Sequence, residues 1–213
     1  RGAQEFDKIM PATWQGIYIA LVAMVFMITL LVNMQPVLTV LQLDEKTNSI
    51  AVGYLDAFAW GVPALLLLTA LRGLTDGLGH TGVIMAFSLL STLLNLPLNY
   101  MFIYGADLGV VQVPALGGIG CGWATSIANW CATLALLVYL NRSKTFAAFH
   151  LLSGWAAPQL ALIKRLLKLG LPIGFTSFIE VSMFCMIALF LAPLGATTVA
   201  AHQIVLNLVS LFF

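Results

Sequence analysis

Charge is what this chain most lacks. Of its 213 residues only 9 are Lys or Arg and 8 are Asp or Glu, 8% in all, where a soluble domain carries about 25%. The two signs nearly cancel at a net +1, and the basic residues form no single patch, so nucleic acid is not expected as a partner. Cysteine is scarce as well. Cys121, Cys131 and Cys185 all lie in apolar stretches, where a thiol behaves as a small apolar group. No metal-ligand spacing joins them to a histidine, so neither a disulfide nor a zinc site is expected. What remains is 61% hydrophobic with a mean hydropathy of +1.01, the composition of an integral membrane protein.

Asp, Glu, Lys and Arg are missing altogether from Ile9 to Leu43, Gly77 to Ala106, Leu108 to Asn141 and Val181 to Phe213. About 20 apolar residues cross a bilayer as a helix, so these runs predict an all-α, polytopic bundle. Its spans are expected at 14–36, 51–71, 83–104, 118–140, 169–193 and from 196 onward. The chain begins without Met and stops at Phe213 inside an apolar stretch. It therefore reads as an internal piece of a longer protein.

Alternating the spans places Arg1, Lys8, Arg72, Arg142, Lys144, Lys164, Arg165 and Lys168 on one side of the membrane and Lys46 alone on the other. Under the positive-inside rule the crowded side is cytoplasmic, including the N-terminal end and the long connection from Asn141 to Lys168. Within that connection, Leu160 to Lys168 sets Lys164, Arg165 and Lys168 on one helix side with leucines around the rest, the pattern of a helix lying in the membrane interface. The organisation expected is one block over 1–145, a cytoplasmic link over 146–168 and the start of a second block over 169–213.

Several polar residues interrupt the spans. Glu180 is the one charged side chain between Leu169 and Leu194. A carboxylate at that depth marks an ion, proton or substrate path more often than not, and desolvation lets such a group hold a proton and yield it to a cation. Asn95 and Asn99 stand four residues apart around Pro97. Their amide oxygens, with the carbonyl that a proline frees, suit either a hard cation such as Na⁺ or hydrogen bonding between helices. Gly118, Gly122 and Ser126 make a small-residue face for close helix packing; Gly118, Gly120 and Gly122 follow no strand and so form no dinucleotide loop. Asp56, near one end of its span, is read as reaching the aqueous interface. His202 and Gln203 lie one to two turns into the last span. His80 sits in a glycine-marked turn, with Arg72 and Asp76 before it at pairing distance.

The stretches Asn95–Gly105 (NLPLNYMFIYG), Leu116–Thr125 (LGGIGCGWAT), Leu169–Glu180 (LGLPIGFTSFIE) and Leu191–Leu206 (LAPLGATTVAAHQIVL) resemble the multidrug and toxic compound extrusion (MATE) transporters, specifically their bacterial NorM-like branch. The resemblance implies twelve helices in two lobes, of which this chain holds helices three to six of the first, with helix seven and much of helix eight of the second. It implies that Glu180 is the membrane-embedded glutamate tied to cation coupling and that Gln203 faces the same cavity. It further implies that Asn95 and Asn99 belong to the first-lobe cation site, with Thr125 the hydroxyl beside it. The acidic helix-one residue of that site is not in this sequence.

The function so implied is not enzymatic: a secondary antiporter of the bacterial inner membrane, exporting amphipathic or cationic drugs and dyes in exchange for Na⁺ or H⁺, with no cofactor beyond the coupling ion. Met183, Phe184 and Met186 would give an adaptable apolar surface near Glu180. A related flippase for lipid-linked or polysaccharide intermediates should carry basic residues inside its spans, and none is present. An intramembrane enzyme would need a nucleophile with its base, or a metal cluster, within the spans, and no such constellation appears.

Overall fold

In the computed structural model, residues 9–40, 44–107, 112–143, 146, 156–191 and 194–209 are described. The helices are α1 (Ile9–Val32), α2 (Gln35–Val40), α3 (Glu45–Ala59), α4 (Val62–Gly77), α5 (Thr81–Tyr104), α6 (Gly118–Arg142), α7 (Leu160–Leu191) and α8 (Ala196–Val209). One small hairpin joins α5 to α6, β1 (Ala106–Asp107) against β2 (Gln112–Val113), antiparallel. Arg1, Lys8, Lys144 and most of the expected link lie outside the described residues.

Four stretches are long and apolar enough to cross a bilayer, Ile9–Thr39, Thr81–Tyr104, Gly118–Arg142 and Leu160–Ala188. The all-α expectation holds. The run expected as a span at 51–71 is divided between α3 and α4, which together have the length and composition of a span and meet at a 46° bend. Pro63 lies in the first turn of α4 and has no N–H for the carbonyl of Ala59, so the helix cannot run through. Pro36 has the same effect after α1, where a turn at Asn33–Met34 precedes α2. The last helix spans only 14 described residues.

The chain divides into two compact units, Arg1–Ile163 and Lys164–Phe213. In the first, α6 is the central element. Along one side, its small-residue face meets α3. A Cβ on Gly122 would lie 2.8 Å from the Tyr54 carbonyl oxygen, and Ser126 Oγ donates to the Ala57 carbonyl at 2.7 Å. The packing role expected of Gly118, Gly122 and Ser126 is thus what the structure shows. Two more α6 side chains follow on: Trp130 Nε1 donates to the Trp60 carbonyl at 2.8 Å and Thr133 Oγ1 to that of Ala64 at 2.9 Å. Positions 126, 130 and 133 follow the helical period, so one face of α6 stitches the bend between α3 and α4.

At one end of this unit, Leu71, Leu74, Leu78, Ile84, Leu136, Leu140 and Phe146 form a buried apolar cluster. It locks the α4–α5 turn to the end of α6, and His80 packs edge-on against Phe146, with ring centroids 5.2 Å apart. The expected Arg72–Asp76 pair forms, at 3.2 Å. Near the start of α1, the fully buried Gln15 donates to the Ala157 carbonyl at 3.2 Å and accepts from the Gln159 amide at 2.8 Å. Tyr18 Oη donates to the Ala156 carbonyl at 2.9 Å beside it. These two side chains give the backbone of Ala156, Ala157 and Gln159, on the approach to α7, its hydrogen-bond partners.

In the second unit, α7 runs unbroken through Pro172. The interfacial segment expected over Leu160–Lys168 is therefore the first turns of this helix and not a helix of its own. Its basic residues begin a continuous apolar rod, and no glycine or proline between Leu160 and Lys168 would end it.

Candidate functional site

A polar seam runs between α5 and α6. On α5, positions 91, 95 and 99 recur every four residues and share a face; on α6, positions 125 and 129 do the same. Asn99 Nδ2 donates to Asn95 Oδ1 at 2.7 Å, Asn95 Nδ2 to Thr125 Oγ1 at 3.3 Å, and Thr125 Oγ1 to the Cys121 carbonyl at 2.9 Å. One turn along, Ser91 Oγ donates to Asn129 Oδ1 at 3.4 Å. The bonds run one way, from Asn99 through Asn95 and Thr125 to the Cys121 carbonyl.

That direction leaves one end open. Asn99 Oδ1 is buried and accepts no hydrogen bond. A buried acceptor without a donor is costly, and Pro97, inside α5, leaves the Leu93 carbonyl without its helical donor as well. The open acceptor of Asn99 and the freed carbonyl of Leu93 are both oxygens, the atoms a hard cation takes as ligands. Among the described residues the seam's own side chains are all neutral.

Three of the five expected site residues, Asn95, Asn99 and Thr125, therefore come together in one hydrogen-bonded group. Glu180 and Gln203 belong to the second unit, on α7 and α8. Both are exposed there, and neither makes a hydrogen bond or ion pair among the described residues. One turn from Glu180, α7 presents a shallow apolar hollow of about 380 Å³ lined by Phe178, Ile179, Ser182, Met183, Met186, Ile187 and Phe190. Met183 and Met186 are in it, as expected, and Phe184 is not. Beside Gln203, the half-buried His202 has an Nε2 with no partner.

Ser91 and Asn129 complete the seam and were not anticipated. The signal was present: Asn129 stands three residues after Ser126 and four before Thr133, the period of the face that bonds to α3 and α4. A lone serine in an apolar helix carries less information.

The MatE family model matches residues 1–101. The chain is 40% identical over 212 residues to the probable multidrug resistance protein NorM of Shewanella oneidensis, an alignment covering 100% of this chain and 45% of that protein. It is also 40% identical to multidrug resistance protein NorM of Vibrio cholerae over 212 residues and to multidrug resistance protein MdtK of Yersinia pestis over 213, in each case 100% of this chain and 46% of the relative. The chain thus spans about half the length of these curated relatives. Apolar helices of spanning length, a family-model match and similarity to these proteins over the whole of this chain agree: the chain belongs to the MatE family, in its NorM-like branch.

Proposed function

We propose that the chain works as part of a secondary multidrug antiporter, exporting amphipathic or cationic organic compounds against an inward flow of Na⁺ or H⁺. The observation that carries the reading is the seam between α5 and α6, a bonded row of neutral side chains ending in the open, buried oxygen of Asn99. Such a row takes up a cation once a carboxylate supplies the charge. Glu180 is the second element, an acid in the middle of an apolar helix with no partner of its own among the described residues. Coupling needs the entering ion and the leaving compound to weaken each other's binding, and such an effect is reciprocal. A carboxylate that serves one at a time provides it, with the hollow on α7 taking the apolar part of the compound. Lys and Arg are crowded on one side of the spans, which supports placing the N-terminal end of the chain in the cytoplasm.

The test is dye export from proteoliposomes by the intact transporter under an imposed Na⁺ or proton gradient, for wild type and Glu180→Gln. Export that one gradient drives and the variant loses is the expected result, and the effective gradient identifies the ion. Undiminished export by Glu180→Gln would reduce Glu180 to a structural acid. No export by wild type under either gradient would remove the antiporter reading.

A further inference from the structure

The bend between α3 and α4 has two sides, and α6 fills only one. On the other lies a cavity of about 380 Å³ lined by Ile28, Val32, Asp56, Ala59, Trp60 and Pro63, within the size range of small-molecule sites, roughly 300–1,000 Å³. Asp56 lies eleven residues into α3, which begins at Glu45 behind its N-cap Asp44, and it is an exposed carboxylate lining this cavity. Among the described residues it has neither a hydrogen bond nor an ion pair.

The surroundings define the partner's chemistry. Trp60 follows Asp56 by four residues, so both project from the same helical face into the cavity. Trp60 is 67% exposed, and its carbonyl accepts from Trp130 of α6. A carboxylate beside an aromatic face attracts a cation of low charge density. Ile28, Val32, Ala59 and Pro63 offer apolar walls and no further ligands, which disfavours a bare metal ion and suits an organic one. We propose that the α3–α4 bend carries a second binding site, for a hydrophobic organic cation, with Asp56 as counter-ion and Trp60 as the ring beneath the charge. The same chemistry describes a drug-like cation and the ammonium headgroup of a lipid. The site shares no residue with the seam, and its occupancy requires no gradient.

The experiment is equilibrium binding of radiolabelled tetraphenylphosphonium to the intact transporter in nanodiscs. It is done in a Glu180→Gln background so that the exchange site contributes least. Saturable binding is expected, weakened at least about tenfold by Asp56→Asn and about threefold to tenfold by Trp60→Leu, and restored by Asp56→Glu. If Asp56→Asn fails to purify as a monodisperse species, the Trp60→Leu and Asp56→Glu comparison decides. Adding phosphatidylethanolamine to phosphatidylglycerol nanodiscs separates the sources. Competition by it supports a lipid ammonium occupant, and its indifference supports a free organic cation. Absence of binding in the Glu180→Gln background, or an isotherm unmoved by both Asp56→Asn and Trp60→Leu, overturns the site and leaves the antiporter reading untouched. Loss of gradient-driven export with Asp56-dependent binding intact does the reverse.

Discussion

Gly120 separates packing from helix propensity in a single substitution. It faces away from the α3 side of α6, against α5, and a Cβ added there would lie 2.5 Å from the Phe102 carbonyl oxygen and 2.6 Å from its carbonyl carbon. Both are backbone atoms and cannot swing aside. Ordinary contact begins at 3.4 Å, so α5 and α6 must part locally by about 0.9 Å in Gly120→Ala. The Asn95–Thr125 bond, already 3.3 Å long, lies on the same interface and does not survive that displacement. Overpacking of this kind costs about 1–3 kcal/mol, and a weak interhelical bond adds about 0.6 kcal/mol. Alanine's better helix propensity returns up to about 1 kcal/mol. The control is Gly174→Ala on α7, where a Cβ meets nothing within 4 Å and propensity acts alone. Thermal unfolding of the intact transporter in detergent should show Gly120→Ala several degrees below wild type and Gly174→Ala at or above it. If the two variants melt together, the close approach of α5 and α6 and the argument built on it are wrong.

Other outcomes follow from named groups. Gln15→Leu removes two hydrogen bonds, one to the Ala157 carbonyl and one from the Gln159 amide, each worth about 0.5–1.5 kcal/mol, and should lower the melting temperature. Thr29→Val, which breaks an exposed bond to Val25, should barely move it. Asn95→Leu should destabilise by removing the donor to Thr125 and the acceptor for Asn99. Asn99→Leu removes the open oxygen together with the donor to Asn95 Oδ1, so it should destabilise by about 0.6 kcal/mol while ion-driven export falls, and unchanged export would make the pair mere glue. Asp44 caps α3, and the hydroxyl and amide of Thr47 hold its carboxyl below its ordinary 3.8. Since the folded value is the lower one, this stabilisation is present above 3.8 and is lost as pH falls through the depressed value. Hydrogen exchange at the Thr47 and Asn48 amides should quicken over that acid window, and not in Asp44→Ala.

Much of this was readable beforehand because lipid leaves little choice. An apolar run of 20 or more residues must close its own backbone hydrogen bonds, so α1, α5 and α6 were visible as stretches almost free of charge, and α7 as an apolar run from Leu169 that only Glu180 interrupts. Gly118, Gly122 and Ser126 were visible as a packing face because their spacing matches the helix period. The bend at Trp60–Gly61 was hidden, since Val62 to Leu68 is as apolar as any span interior and Pro63 could equally have kinked one continuous helix. Two-residue strands have no period to read, so β1 and β2 left no trace. Gln15 was a single polar residue whose partners lie more than 140 positions away. At the seam, Asn95 and Asn99 were legible from spacing. That Asn99 keeps an open oxygen depends on which way each amide bonds, which only three-dimensional packing decides.

The stitches across the α3–α4 bend also set an order of events during synthesis. Ala57, Trp60 and Ala64 receive their donors from residues 69 or 70 positions later. At roughly 5–20 residues per second, a ribosome needs about 3–14 s to make that much chain. During that interval the carbonyls at the bend lack the donors that α6 brings, with only that of Ala64 already paired inside α4, and an unpaired carbonyl in hydrocarbon is costly. The nascent α3–α4 segment must therefore wait where water or the insertion machinery reaches it. Its final shape is taken only when Ser126, Trp130 and Thr133 arrive, so a lesion in α6 registers first as a failure of a helix pair made seconds earlier.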